Sequence, residues 1–187
     1  MNTFARMDPE SFFLFAARHP EQRYELENGV IMQQTTGGTK RHGLLARRIS
    51  MAIEAQIDLS RYCVLQDRGV LAHRSGRFPD VVVEPIDEPA DSLRTTRPVL
   101  IAEVLSPSAA ATDLNAKQGE YLGIATLDAY IVASQDEPAM QIWQRGADGT
   151  FPAEPVEVAG SDRTVRLDGR QIAFSLDLAA LYRGLVG

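Results

Sequence analysis

One cysteine in 187 residues, Cys63, leaves no partner for an intrachain disulfide and excludes a zinc site built from several thiolates. Its apolar setting, Tyr62-Cys63-Val64-Leu65, predicts a buried core thiol, and the sparing use of cysteine points to a reducing, cytoplasmic location. Long hydrophobic runs are also missing. None approaches the roughly 20 residues that cross a bilayer, and no basic segment leads into an apolar stretch at the N-terminus. No membrane association is expected. Positive charge is scarce, with 19 Lys and Arg against 25 Asp and Glu, which gives a net charge of -6. That balance argues against tight, indiscriminate attachment to nucleic acid, while leaving room for a local basic face. Repeats, low-complexity tracts, zinc fingers and an interdomain linker are absent. What remains is an ordinary globular composition, 44% hydrophobic and 24% charged, sufficient for one core. The chain reads as a single domain over residues 1–187.

Alternating signals along the chain predict a mixed α/β architecture. Asp8-Pro9 starts a helix that carries Phe12, Phe13, Phe15 and Ala16 and stops before Pro20. Tyr24–Glu27, Asn28-Gly29 and Val30–Met32 read as a tight hairpin, since Asn-Gly tolerates the positive φ of such turns. Leu45, Ile49, Ile53 and Ile57 recur every four residues, which predicts a helix from about His42 to Asp58. Strands are expected at Tyr62–Gln66, Gly69–Ala72, Phe78–Val83 and Val99–Leu105, with an exposed acidic connection over Glu84–Arg97. A helix over Ala109–Leu122 follows, then strands at Ala129–Ser134 and Met140–Arg145, where Trp143 packs on the sheet. Short strands near Phe151–Val158 and Thr164–Leu167 and a closing helix over Leu176–Leu185 complete the pattern.

Chemistry concentrates in three places. Glu103 sits inside the apolar run Val99–Leu105, and an ionised carboxylate in a buried strand costs several kcal/mol unless something compensates it. Asp80 stands at the entrance of a second strand, Phe78-Pro79-Asp80-Val81-Val82-Val83. Lys117 follows on the next helix, where Asp113, Lys117 and Tyr121 are four apart and line one side. Two carboxylates and an amine converging at a sheet edge suit magnesium-dependent hydrolysis of a phosphodiester. Asp80 and Glu103 would hold the cation, the backbone carbonyl of Val104 could add a ligand, and Lys117 would orient water or meet developing charge. Without a metal, the two carboxylates should raise each other's pKa.

The string Pro79-Asp80 … Glu103-Val104-Leu105-Ser106-Pro107-Ser108 … Asp113 … Lys117 … Tyr121 resembles the PD-(D/E)xK nuclease superfamily, and more narrowly the Uma2 family of restriction-endonuclease-like proteins. Tyr24-Glu25-Leu26, Gly29 and His42 match further features of that family, and the similarity spans about residues 10–182. The resemblance implies a restriction-endonuclease-like fold, a central mixed β-sheet flanked by helices with the site at one edge. It also implies magnesium-dependent DNA cleavage, with Mn2+ as a possible substitute and a homodimer to cut two strands. Asp80, Glu103 and Lys117 carry over as the catalytic set; Glu25 resembles an extra acid directed toward the metal. In the superfamily the lysine usually lies two residues after the acid, which here is Leu105, so the amine must come from the helix. The segment Gly123–Ile131 keeps Tyr130 but lacks an acid and a tryptophan usual in the family.

His42 is a further candidate, as a phosphate contact or proton carrier. Lys40, Arg41, Arg74 and Arg77 could meet a nucleic-acid backbone. Thr36-Gly37-Gly38-Thr39-Lys40 lacks phosphate-loop spacing and reads as a turn. No small organic cofactor is expected. Two other functions use the same residues: a catalytically silent nucleic-acid or protein-binding module, and a metal-dependent hydrolase of a smaller phosphoester.

Overall fold

The Asn28-Gly29 pair turns the first hairpin with φ of 49° and 83°, values that a two-residue turn between twisted strands demands. The structure, a computed structural model, describes residues 3–34, 38–105 and 111–186, without the side chains of 3–5 and 111–115. Thr36, Gly37, Ser106, Pro107 and Ser108, and the side chain of Asp113, lie outside the described residues.

In chain order the elements are β1 (Thr3–Arg6), α1 (Pro9–Arg18), β2 (Arg23–Glu27), β3 (Val30–Gln34), α2 (Lys40–Glu54), β4 (Tyr62–Leu65), β5 (Gly69–Ala72), β6 (Ser75–Arg77) and β7 (Val81–Pro85). There follow β8 (Arg94–Thr95), β9 (Leu100–Leu105), α3 (Ala111–Leu122), β10 (Ala129–Ser134), β11 (Ala139–Gln144), β12 (Val156–Ala159), β13 (Thr164–Asp168), β14 (Ala173–Asp177) and α4 (Leu178–Tyr182). Two six-stranded sheets form, in the orders β1-β3-β2-β6-β5-β8 and β12-β11-β10-β9-β7-β4, beside a separate β13-β14 hairpin. The second sheet is mixed: β9 runs parallel to β10 and antiparallel to β7.

That sheet is covered on both sides. Leu45, Ala46, Ile49 and Ile53 of α2 pack with Val81, Val83, Leu100 and Ala102 on one face, joined by Leu176, Leu178 and Leu181. On the other face Val82, Ile101 and Val132 meet Tyr121 of α3 and Val70 and Ala72 of the first sheet. Phe12 and Phe13 of α1 bury against Tyr24, Leu26 and Ile31. At Gly76 a Cβ would stand 2.6 Å from the Phe12 ring, so only glycine lets α1 lie this close to β6.

Several expectations need correction, each for a local reason. The helix expected to reach Asp58 ends at Glu54; Asp58 instead accepts from the Ser60 N–H at 3.0 Å and its hydroxyl at 2.6 Å, a side-chain turn that competes with helix. β7 begins at Val81 and not Phe78, because Pro79 has no N–H for a ladder and the Phe78 ring packs against Phe12 and Phe13. The Glu84–Arg97 connection is not simply exposed: Glu84 and Thr95 are buried, and β8 pairs with β5. At the C-terminus Phe174 and Leu176 are buried between exposed Ala173 and Asp177, a period of two, so a strand precedes a helix of five residues. Cys63 is half-buried, not a core thiol, with its Sγ 3.7 Å from the Glu84 carbonyl. Trp143 is buried and stacks on Tyr130 at 5.5 Å, as expected of a sheet residue.

Candidate functional site

Strand register decides whether the two acids can cooperate. β7 and β9 pair antiparallel with Val81 opposite Ala102 and Val82 opposite Ile101. One residue further along the same register, Asp80 stands opposite Glu103, and opposed residues of antiparallel strands project from the same face. The ladder itself has ended there, which leaves the Val104 N–H without a strand partner. Asp80 takes its place: its Oδ2 accepts from that N–H at 2.7 Å. Its other oxygen, Oδ1, lies 2.9 Å from Nε2 of His42, two residues into α2. Asp80 thereby ties the start of a helix on one face of the sheet to a strand edge.

Glu103 receives the phenol O–H of Tyr121 on Oε1 at 3.1 Å. Removal from water pushes its carboxyl up to about 8; Lys117 opposes that shift, while the neighbouring charges of Asp80 and Glu25 reinforce it. The mutual repulsion expected of two carboxylates without a metal is therefore present at Glu103, although burial outweighs it. His42 is also raised, because Asp80 accepts its ring N–H and favours the charged form.

Lys117 does not point into bulk water. Its Nζ lies 3.0 Å from Oε1 of Glu25, and the pair is largely withdrawn from solvent. Glu25 in turn accepts from Nη1 of Arg77 at 2.8 Å and from the Gln34 amide at 3.1 Å. Arg77 is fully buried and also donates to both oxygens of Glu120, at 2.8 and 3.0 Å. Those carboxylates hold its guanidinium firmly protonated despite its burial. Glu120 further accepts from the Ser75 hydroxyl at 2.7 Å. Asp80, Glu103, Lys117 and Glu25 thus come together, with His42 at the side of Asp80. Glu25 is bound to the lysine and to Arg77.

The basic residues divide. Lys40 and Arg74 are exposed, and Arg41 is exposed but pairs with Asp136 at 3.1 Å. Arg77 cannot reach a nucleic-acid backbone, because it is enclosed among three glutamates; this corrects the expectation from sequence. Glu120 escapes a reading of the sequence altogether, although its position three residues after Lys117 places it on the same side of α3. Beside His42 and Asp80 opens a pocket of about 320 Å³, lined also by Arg23, Thr39, Gln66 and Asp67.

The donor set fits a hard divalent cation better than a zinc ion. No group of three or more His, Cys, Asp or Glu that could hold a metal is present among the described residues. Magnesium needs less, one or two carboxylates with water in its remaining positions. The electrostatics agree: the charges of Asp80 and Glu25 reinforce the upward shift of the Glu103 carboxyl, a repulsion that a divalent ion would offset.

A sequence model of the Uma2 family, described as putative restriction endonuclease, matches residues 9–179. An uncharacterised protein of Synechocystis sp. is 27% identical over 188 residues, covering 97% of this chain and 94% of that protein. A crystal structure described as that of a putative nuclease belonging to DUF820, from Anabaena variabilis, superposes with a TM-score of 0.70 at 15% identity. It covers 88% of this chain and 92% of its own, a likeness that speaks for the fold. Among the described residues, no helix is long and apolar enough to cross a membrane.

Proposed function

The chain belongs to the Uma2 family of putative restriction endonucleases, and from that premise we propose that it is a magnesium-dependent endonuclease hydrolysing phosphodiester bonds of DNA. The observation that carries this reading is the placement of Asp80 and Glu103 opposite each other on one face of the sheet, with the Lys117 amine held among the same buried charges.

Asp80, Glu103 and the Val104 carbonyl would hold the cation, with Mn2+ an acceptable substitute. When bound, it supplies a more acidic water and offsets charge on the phosphoryl oxygens. The chain's own groups do the rest. The Val104 N–H and His42 fix Asp80 through one oxygen each. Glu25 holds the ammonium of Lys117 in place by charge, so that it can orient the attacking water or meet negative charge at the phosphate. Lys40 and Arg74, both exposed, are suited to contact a polymer backbone. Two copies acting across a duplex dyad would cut both strands, and a cytoplasmic location accords with such a substrate.

Cleavage of supercoiled plasmid and of single-stranded DNA with Mg2+ or Mn2+ tests the proposal, comparing wild type with Glu103→Ala and Lys117→Ala. Loss of cleavage in both variants is expected. Equal cleavage by variants and wild type, or none by wild type with either metal, overturns it.

A further inference from the structure

Helix α3 sends two polar side chains toward the site from one flank: Lys117, and one turn later Tyr121. The tyrosine ring is wholly buried. Tyr130 meets it edge-to-face at 5.3 Å, and Trp143 backs Tyr130 at 5.5 Å. Phenylalanine would fill this space equally well, so packing does not account for the hydroxyl. The hydroxyl has a specific partner instead, Oε1 of Glu103 at 3.1 Å. A buried phenol aimed at a carboxylate restricts the carboxylate as much as it satisfies itself.

We infer that Tyr121 is a positioning residue for Glu103, engaging Oε1 so that the carboxylate is presented in one fixed orientation to the divalent cation. The inference rests on the reading of Asp80 and Glu103 as the cation-holding pair, and it adds a residue whose contribution runs entirely through Glu103. The buried ring, packed edge-to-face on Tyr130, fixes the hydroxyl, and the hydroxyl fixes the acid; Trp143 lies one ring further away and supports the fold there. Outer partners of metal ligands commonly change affinity by about 10- to 100-fold when removed.

Calorimetric titration of Mn2+ into the metal-free protein tests this without relying on cleavage, using wild type, Tyr121→Phe and Trp143→Phe. Tyr121→Phe keeps the ring and should weaken Mn2+ binding by about tenfold. Its plasmid cleavage should return toward wild type when Mn2+ is raised to saturation, which a merely misfolded site would not allow. Trp143→Phe disturbs the same stack without touching Glu103, and should lower Tm while leaving the Mn2+ affinity unchanged. Equal affinity in wild type and Tyr121→Phe overturns the inference and leaves the nuclease reading standing. An equal loss in Trp143→Phe also overturns it, because packing would then explain both. Absence of Mn2+ binding by wild type overturns this inference and the cation site together.

Discussion

Glu84 and Glu103 occupy adjacent strands of one sheet and both are drawn away from water, yet their surroundings are opposite in kind. Glu84 faces a guanidinium: Arg68 Nε lies 3.1 and 3.2 Å from its two oxygens, and the other Arg68 nitrogens are spent on the carbonyls of Ser92 and Arg94. Each charge there has its complement, and the result knits the long β7–β9 connection to the sheet. Glu103 has a neutral phenol on one oxygen, with the charges of Asp80 and Glu25 acting against its ionised form and the Lys117 ammonium, itself paired with Glu25, acting for it. The first arrangement is complete as it stands. The second leaves the Glu103 carboxyl pushed up to about 8, a preference that a bound cation would reverse.

Ways to break this contrast can be ranked by size. The largest effect belongs to cleavage: Glu103→Gln, which keeps the shape and removes the charge, should lower plasmid cleavage by about a thousandfold or more. Glu84→Gln should leave cleavage per folded molecule intact and cost about 3 kcal/mol in urea unfolding, since it strands Arg68. A neutral result there would mean that the pair is not the structural unit described.

Smaller, and of opposite sign, is the expected gain of about 1 kcal/mol when Glu103→Gln is unfolded without metal, because repulsion and burial cost are relieved. Added Mg2+ should raise the Tm of wild type and not of this variant. The pH dependence follows the same logic. With its native pKa raised above the ordinary 4.5, Glu103 contributes stability that is full below that value and is lost as pH rises through the native one. His42, raised above 6.5 by Asp80, likewise contributes at low pH and loses that contribution as pH rises through its native value. In chelator, wild type should therefore lose Tm relative to Glu103→Gln between about pH 5 and pH 9. A flat difference would show that Glu103 is not strained by its neighbours. The smallest effect serves as the baseline: Asp136→Asn, which breaks an exposed pair with Arg41, should change stability by less than about 0.5 kcal/mol.

Much of the fold is legible in the sequence because its signals are periodic. The four-residue apolar stripe of α2, the Asn28-Gly29 turn and the apolar strands around Glu103 each repeat a pattern long enough to read. The strands β6 and β8 are not legible, since Ser75-Gly76-Arg77 and Arg94-Thr95 are too short to show a period and are held by partners far away in sequence. Within the site, Asp80 and Glu103 stand out because charge beside or inside apolar runs is costly, and Lys117 because it shares a helix side with Asp113 and Tyr121 directly after the Glu103 strand. Glu25 gives no such signal. An acid in a polar-looking hairpin is buried only because Arg77 and Lys117 arrive from other elements, and a linear string does not record who arrives. Arg77 misleads for the same reason, looking like a surface cation when its three glutamate neighbours lie 43 to 52 residues away on either side.

The spacing of Lys117 and Tyr121 has an evolutionary corollary. One residue gained or lost between them would swing one away from the other by about 100°, since a helix advances by that angle per residue. Descendants of this chain can exchange Gly119 on that turn, where an added Cβ meets nothing within 4 Å, while Glu120 stays tied to Arg77; a change of length there would sever amine from phenol in a single event.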